Sequence, residues 1–145
     1  MIDIVQYEPE HIDEIMKNPR KWELKMSKNE NWPLWKYCWK SQGPAYTLLV
    51  NGKPIGCAGV LILENNIGEA WMVWSALMEE YAKSIYSSVK RMLNVIVKTY
   101  KLTGVQAFVD PEFKEGKTFM VHLGFVEKPK INVCGFEMIR YWRES

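Results

Sequence analysis

At 145 residues, 48% apolar and 13% aromatic, the chain is long enough for one domain with a sizeable core and too short for two independent ones. Its 19 Lys and Arg stand against 17 Asp and Glu, a net charge of +2, which disfavours a disordered tail or a general polyanion binder. No apolar run reaches the roughly 18 to 20 residues of a membrane-spanning helix. Residues 1–3 lack the opening of a secretion signal, and Cys38, Cys57, Cys134, His11 and His122 are too scattered for a disulfide framework or a metal site, so a soluble cytoplasmic protein is expected.

Residues 2–7 read as a short strand, and Pro9 precedes a helix over 11–17 in which Ile12, Ile15 and Met16 share a face. Residues 20–44 carry Trp22, Trp32, Trp35 and Trp39 among basic side chains. Asn31 is placed to cap, and Pro33 to open, a helix running to about residue 40, whose 32, 35, 39 spacing suits a face packed on a core. The same interleaving is also the pattern of a base-stacking surface, but the near-neutral charge disfavours nucleic acid as a partner.

Residues 45–50 favour strand, Asn51 and Gly52 are a strong hairpin signal, and residues 53–63 resume the strand pattern. Asn65, Asn66 and Gly68 make a second turn before a third strand over 69–74. Ile85, Val89, Met92, Leu93, Ile96, Val97 and Tyr100 then form the buried stripe of a long helix, which Gly104 ends. Residues 105–109 are a nearly all-apolar strand suited to a sheet centre, and Asp110 and Pro111 turn into a helix over 112–122 closed by Gly124. Residues 125–128 and 132–141 supply two last strands, joined around Pro129.

This order of elements is similar to that of the Gcn5-related N-acetyltransferase (GNAT) family. Two local features carry the resemblance further: the run Asn51, Gly52, Lys53, Pro54, Ile55, Gly56 leading into a strand with Gly59, and the tail Met120, Val121, His122, Leu123, Gly124, Phe125, which resembles the family's Y-x-x-x-G-F helix end. Within that superfamily a nearer likeness is to the small acetyltransferase-like proteins of tailed phages, the internal virion protein A family of T7-like phages. It rests on Trp71, Met72, Val73, Trp74, Ser75 and on Lys90, Arg91, Met92, Leu93.

The resemblance implies an α+β fold in α/β/α layers, a single domain over residues 1–145 with a mixed, mostly antiparallel sheet of six to seven strands and about four helices. It implies acetyl transfer from acetyl-CoA to an amine acceptor, or, for a phage protein, a phage or host partner in the host cytoplasm or virion. In the family the acyl-CoA arm lies between the strands matching 69–74 and 105–109, and the pyrophosphate rests on amides at the next helix N-terminus. That places Val73 and Ser75 at the thioester, Trp74 between them in the cofactor-binding stretch, and Lys83, Ser84 and Ile85 at the pyrophosphate, with Ser84 also suited to be an ordinary helix N-cap. Glu69, the only carboxylate on its strand, is either the base that deprotonates the amine or a solvated strand-end charge.

Two departures from the family stand out. Its Q/R-x-x-G-x-G/A loop reads here Glu80, Tyr81, Ala82, Lys83, Ser84, Ile85, Tyr86, a degenerate form with no glycine. Its general-acid tyrosine is Met120, which has no proton to give, and His122 points about 200° around the helix from that face. No G-x-S-x-G elbow, Walker loop or H-E-x-x-H is present, and Cys57 reads as a small buried hydrophobe. A second reading is therefore a non-catalytic protein of this fold acting in virion assembly or host interaction. Seven tryptophans in so short a chain favour it, as an excess over one core that would leave an exposed apolar patch.

Overall fold

The computed structural model describes residues 2–145, and among these the alternating and helical patterns condense into one seven-stranded sheet with helices on both faces. The strands are β1 (Ile2–Gln6), β2 (Ala45–Val50), β3 (Lys53–Ile62), β4 (Ile67–Trp74), β5 (Gly104–Val109), β6 (Val126–Val133) and β7 (Phe136–Glu144), in spatial order β1-β2-β3-β4-β5-β7-β6. All neighbours run antiparallel except β4 and β5. The helices are α1 (Pro9–Ile15), α2 (Lys21–Met26), α3 (Trp32–Ser41), α4 (Ala82–Thr99) and α5 (Lys114–His122). No helix of the described residues is long and apolar enough to cross a membrane.

The parallel pair is where the sheet opens. β4 pairs with β5 only at Ile67 with Gly104, Gly68 with Val105 and Glu69 with Gln106, while on its other edge it stays in unbroken register with β3 from Gly68 to Trp74. Trp74 donates its N–H away from β3 and Ser75 donates to Ile55 O of β3, so by the two-residue period the N–H groups of Ala70 and Met72 also face the gap beside β5.

Two cores flank the sheet. On one face α4 and α5 cover an aliphatic cluster that includes Leu48, Ile55, Ile85, Val89, Leu93, Val105, Met120 and Trp74. On the other, α1 and α3 cover Tyr7, Ile12, Ile15, Trp39, Cys57 and Val73, with Trp32, Trp35 and Trp71 packed at the margin. The indole of Trp74 lies where a side chain on Gly56 would be, since a Cβ there would sit 1.7 Å from the ring.

Several expectations need correction. Five α-helices among the described residues agree with the expected four or so, the one not foreseen being α2, which lies inside the aromatic and basic stretch and is too short to show a helical period. The final hairpin turns at Cys134 and Gly135, both left-handed with φ of 52° and 85°, and Pro129 lies inside β6. A proline is tolerated there because β6 is an edge strand and its pairing with β7 skips between Glu127 and Lys130. Asn31 has helical dihedrals and caps nothing with its side chain. No tryptophan is itself exposed either: Trp39 and Trp74 are buried and the other five are half-buried, because they divide between the two faces, and the exposed large apolar side chains of residues 20–44 are Leu24, Leu34 and Tyr37.

Candidate functional site

Three features converge where β4 leaves β5: the freed edge of β4, the segment of α2 laid across it, and the turn into α4. The α2 segment is tied down by its charges. Pro19 bridges Ser75, and Ala76 donates its N–H to Asn18 O at 2.8 Å. Arg20 then points along α2 to clasp Glu23 with both ends of its guanidinium, Nε to Oε1 at 2.7 Å and Nη2 to Oε2 at 2.6 Å. Glu23 is fully buried, and its Oε2 also accepts the N–H of Trp74 at 3.0 Å. A buried carboxylate is tolerable only with such partners, so the Arg20–Glu23 pair and the end of β4 form one unit. Arg20 also stacks 4.8 Å over the Phe113 ring at the start of α5, beside Trp22, whose ring is parallel to Phe113 at 6.0 Å. Two residues beyond Glu23 on the same helix, Lys25 pairs with the buried Asp110 at the end of β5 at 2.6 Å, so α2 spans the two diverging strands.

The residues expected around the thioester are all here, but their amides are engaged. Val73 is buried under α1 and pairs with Cys57 of β3. Trp74 gives its N–H to Glu23, and Ser75 gives its N–H to Ile55 O at 2.9 Å. The Ser75 hydroxyl accepts from Leu77 N at 2.9 Å and so caps a 3-10 helix over Ala76–Tyr81. The expectation that Ser84 caps the long helix is therefore displaced: α4 begins at Ala82, no side chain caps it, and Ser84 is exposed in its first turn beside exposed Lys83. Ile85 turns its side chain into the core and is fully buried.

Between α4 and α5, over β3 and β4, lies a cavity of about 30 Å³ lined by Ala70, Met72, Val89, Leu93, Met120 and Leu123 among others. Met120 thus faces the gap from α5, where a tyrosine would have carried a phenol. His122 is exposed and meets only the edge of Tyr86, with ring centroids 5.2 Å apart. Cys57 is fully buried with its thiol against Thr47 at 3.3 Å, and burial pushes its pKa up to about 12, as for an unreactive core thiol.

Glu69 sits at the last paired position of β4, on the face shared with Trp71 and Val73. Its Oε1 accepts from Gln106 Nε2 at 2.9 Å, and Gln106 Oε1 accepts from Arg140 Nε at 3.2 Å. Burial raises the Glu69 pKa above the ordinary carboxylate value and the Gln106 bond partly offsets this, the direction that suits a proton acceptor working near neutrality. The Arg20–Glu23 clasp was missed from sequence. Its one local signal is the i, i+3 spacing of opposite charges after Pro19, which does not distinguish a buried pair from a surface one.

No protein-family model matches the chain, and neither does any curated protein. Solved structures match over nearly its whole length. A spermidine N-acetyltransferase SpeG chimera from Vibrio cholerae and hSSAT superposes with a TM-score of 0.73 at 13% identity, covering 99% of this chain and 95% of that one. The aminoglycoside acetyltransferase AAC(6')-Ib in complex with coenzyme A gives 0.73 at 9% identity, covering 99% and 95%. An acetyltransferase of the GNAT family from Staphylococcus aureus Mu50 gives 0.69 at 18% identity, covering 99% of each chain. The chain therefore has the α+β fold of the GNAT acetyltransferases.

Proposed function

We propose that the protein is an acyl-CoA-dependent N-acyltransferase, a reading carried by the edge of β4 that parts from β5 after Glu69 and borders an apolar cavity between α4 and α5. Bound acyl-CoA would supply the acyl group and a thiolate able to leave. The residues present suit it in kind. The N–H groups of Ala70 and Met72 face the gap and are placed to bond the arm's amides, the lining is apolar, and Lys83, Lys90 and Arg91 on α4 have no carboxylate partner among the described residues. The cavity, with room for about one water, must widen by separation of α4 from α5 before an arm can enter.

The chain's own residues then divide the work. Glu69 takes the first proton of the acceptor's ammonium, and Gln106 holds the carboxylate in position. As the nitrogen bonds the acyl carbon it sheds a second proton to water, and the pair from the broken C–S bond departs with the thiolate, because Met120 has no proton to offer. Rate enhancement rests on positioning and on amide hydrogen bonds from β4. Calorimetric titration with acetyl-CoA and with CoA tests this: micromolar binding that Ser84→Glu removes supports it, and no heat at millimolar ligand overturns it.

One observation favours a second reading, a non-catalytic protein of the same fold, of the phage type, that acts through a virion or host partner. Glu23 already occupies the Trp74 amide, a position the first reading counted as cofactor-binding. If Glu23→Gln, which keeps an acceptor for Trp74 and Arg20, also leaves the chain without CoA binding, the second reading stands.

A further inference from the structure

On the face opposite α4 and α5, one carboxylate, one amide and one guanidinium stand in a row across three adjacent strands. Glu69 of β4, Gln106 of β5 and Arg140 of β7 share that face through the registers Glu69 with Gln106 and Phe108 with Arg140. Gln106 spends its amide on both neighbours, donating to Glu69 Oε1 at 2.9 Å and accepting from Arg140 Nε at 3.2 Å. The second oxygen of Glu69 and both Nη groups of Arg140 have no protein partner among the described residues. A negative and a positive group are thus held apart by one amide and left with free hydrogen-bonding edges.

The spacing has a chemical meaning. An amide with a hydrogen bond at each end separates the two charges by at most roughly 8 Å, about the span an α-amino acid covers when its ammonium and carboxylate each make one hydrogen bond. The walls are apolar. The Trp142 indole lies flat over Gly104, where a Cβ would come within 2.2 Å of the ring, and the Arg140 guanidinium lies 5.2 Å over that indole. Phe108, half-buried, faces Arg140 from β5. Fixed by Gln106 and by Trp142, the guanidinium is pre-organised for bidentate contact with a carboxylate.

We propose that this row is the acceptor site and that the acceptor is a free α-amino acid with an apolar or aromatic side chain, its ammonium on Glu69, its carboxylate on Arg140 and its side chain against Phe108 and Trp142. The inference rests on the acyltransferase reading and deepens it. A polyamine would set positive charge against Arg140, and the terminus of a peptide would leave Arg140 without a carboxylate, so both are disfavoured by the same charge arrangement.

The experiment compares L-phenylalanine with 2-phenylethylamine, which lacks only the carboxylate, and with spermidine. Each is titrated into the full chain without acyl donor and read by tryptophan fluorescence. Phenylalanine is expected to bind at least about tenfold tighter than phenylethylamine, the scale of a hydrogen-bonded charge pair. Arg140→Gln should bring that ratio to about one, with partial recovery in Arg140→Lys. Equal affinities in the unaltered protein, tighter binding of spermidine, no binding of any of the three, or a ratio that Arg140→Gln leaves in place would each overturn the proposal. Because no acyl donor is present, phenylalanine binding in a chain that gives no heat with acetyl-CoA would sink the acyltransferase reading while leaving the amino-acid site.

Discussion

The two faces of this sheet are held by different physics. Five cations of the α1–α3 segment are matched to carboxylates: Lys17 with Glu14, Arg20 with Glu23, Lys25 with Asp110, Lys36 with Asp13 and Lys40 with Glu8. Its core is aromatic, with Trp39 stacked on Trp71 at 4.3 Å and Tyr7 edge-on to Trp71 at 5.4 Å. The α4 side is aliphatic beneath and cationic outside. Lys83, Lys90, Arg91 and Lys98 pair with no carboxylate among the described residues, and α4 contains no acidic residue. The helices of one side spend charges on fixing themselves in place, whereas the cations of α4 stay without carboxylate partners among the described residues. The site lies at the seam, where Glu23 from the paired side reaches the last amide of β4.

Breaking that seam should have the largest effect. Glu23→Ala would leave the Arg20 guanidinium and the Trp74 N–H without their acceptor in a buried setting, a loss of about 3–5 kcal/mol in urea unfolding. Glu23→Gln should lose less, since it keeps one acceptor oxygen. On the aliphatic side, Gly56→Ala drives a methyl into the Trp74 ring, and overpacking of this kind costs about 1–3 kcal/mol. If Gly56→Ala proves the more damaging of the two, the clasp is peripheral and packing alone secures β4.

Glu69 gives a pH test at the same seam. Its folded pKa is raised above the ordinary 4.5, chiefly by burial, so the native state holds this proton more tightly than the unfolded chain. Stability should therefore decline as pH rises from about the unfolded value through the folded one, and Glu69→Gln should flatten that decline. The acid limb of kcat/KM should fall above the same ordinary value and vanish in Glu69→Gln. An unchanged limb would assign it to another group. The smallest expected effect concerns the final hairpin: Cys134 adopts a φ of 52°, a left-handed geometry that asparagine tolerates better, so Cys134→Asn should stabilise by about 0.5 kcal/mol in thermal melts.

Much of the fold was legible. Asn51 and Gly52 turn with φ of 51° and 77°, as that dipeptide prefers, and the stripe from Ile85 through Ile96 became the buried face of α4. The final hairpin was misplaced because a proline outweighed Cys134 and Gly135 as a turn signal, and nothing local reveals that β6 is an edge. Of the residues proposed for the site, Glu69 stood out in sequence as the lone carboxylate on its strand. Gln106 and Arg140 were not, since they come from strands distant in sequence and only register aligns them.

Periodicity and turn chemistry, both short-range, were written in the chain: the length and face of α4, the β2–β4 meander, the missing glycines before α4 and the methionine at 120. Tertiary structure alone decided which charges lose water. Glu23 and Glu69 are both glutamates beside apolar residues in sequence, yet one is fully buried and sealed by Arg20 and a backbone amide while the other is half-buried and keeps one oxygen without a protein partner among the described residues. Solvation depends on what the rest of the chain brings to a residue, and no local pattern carries that information.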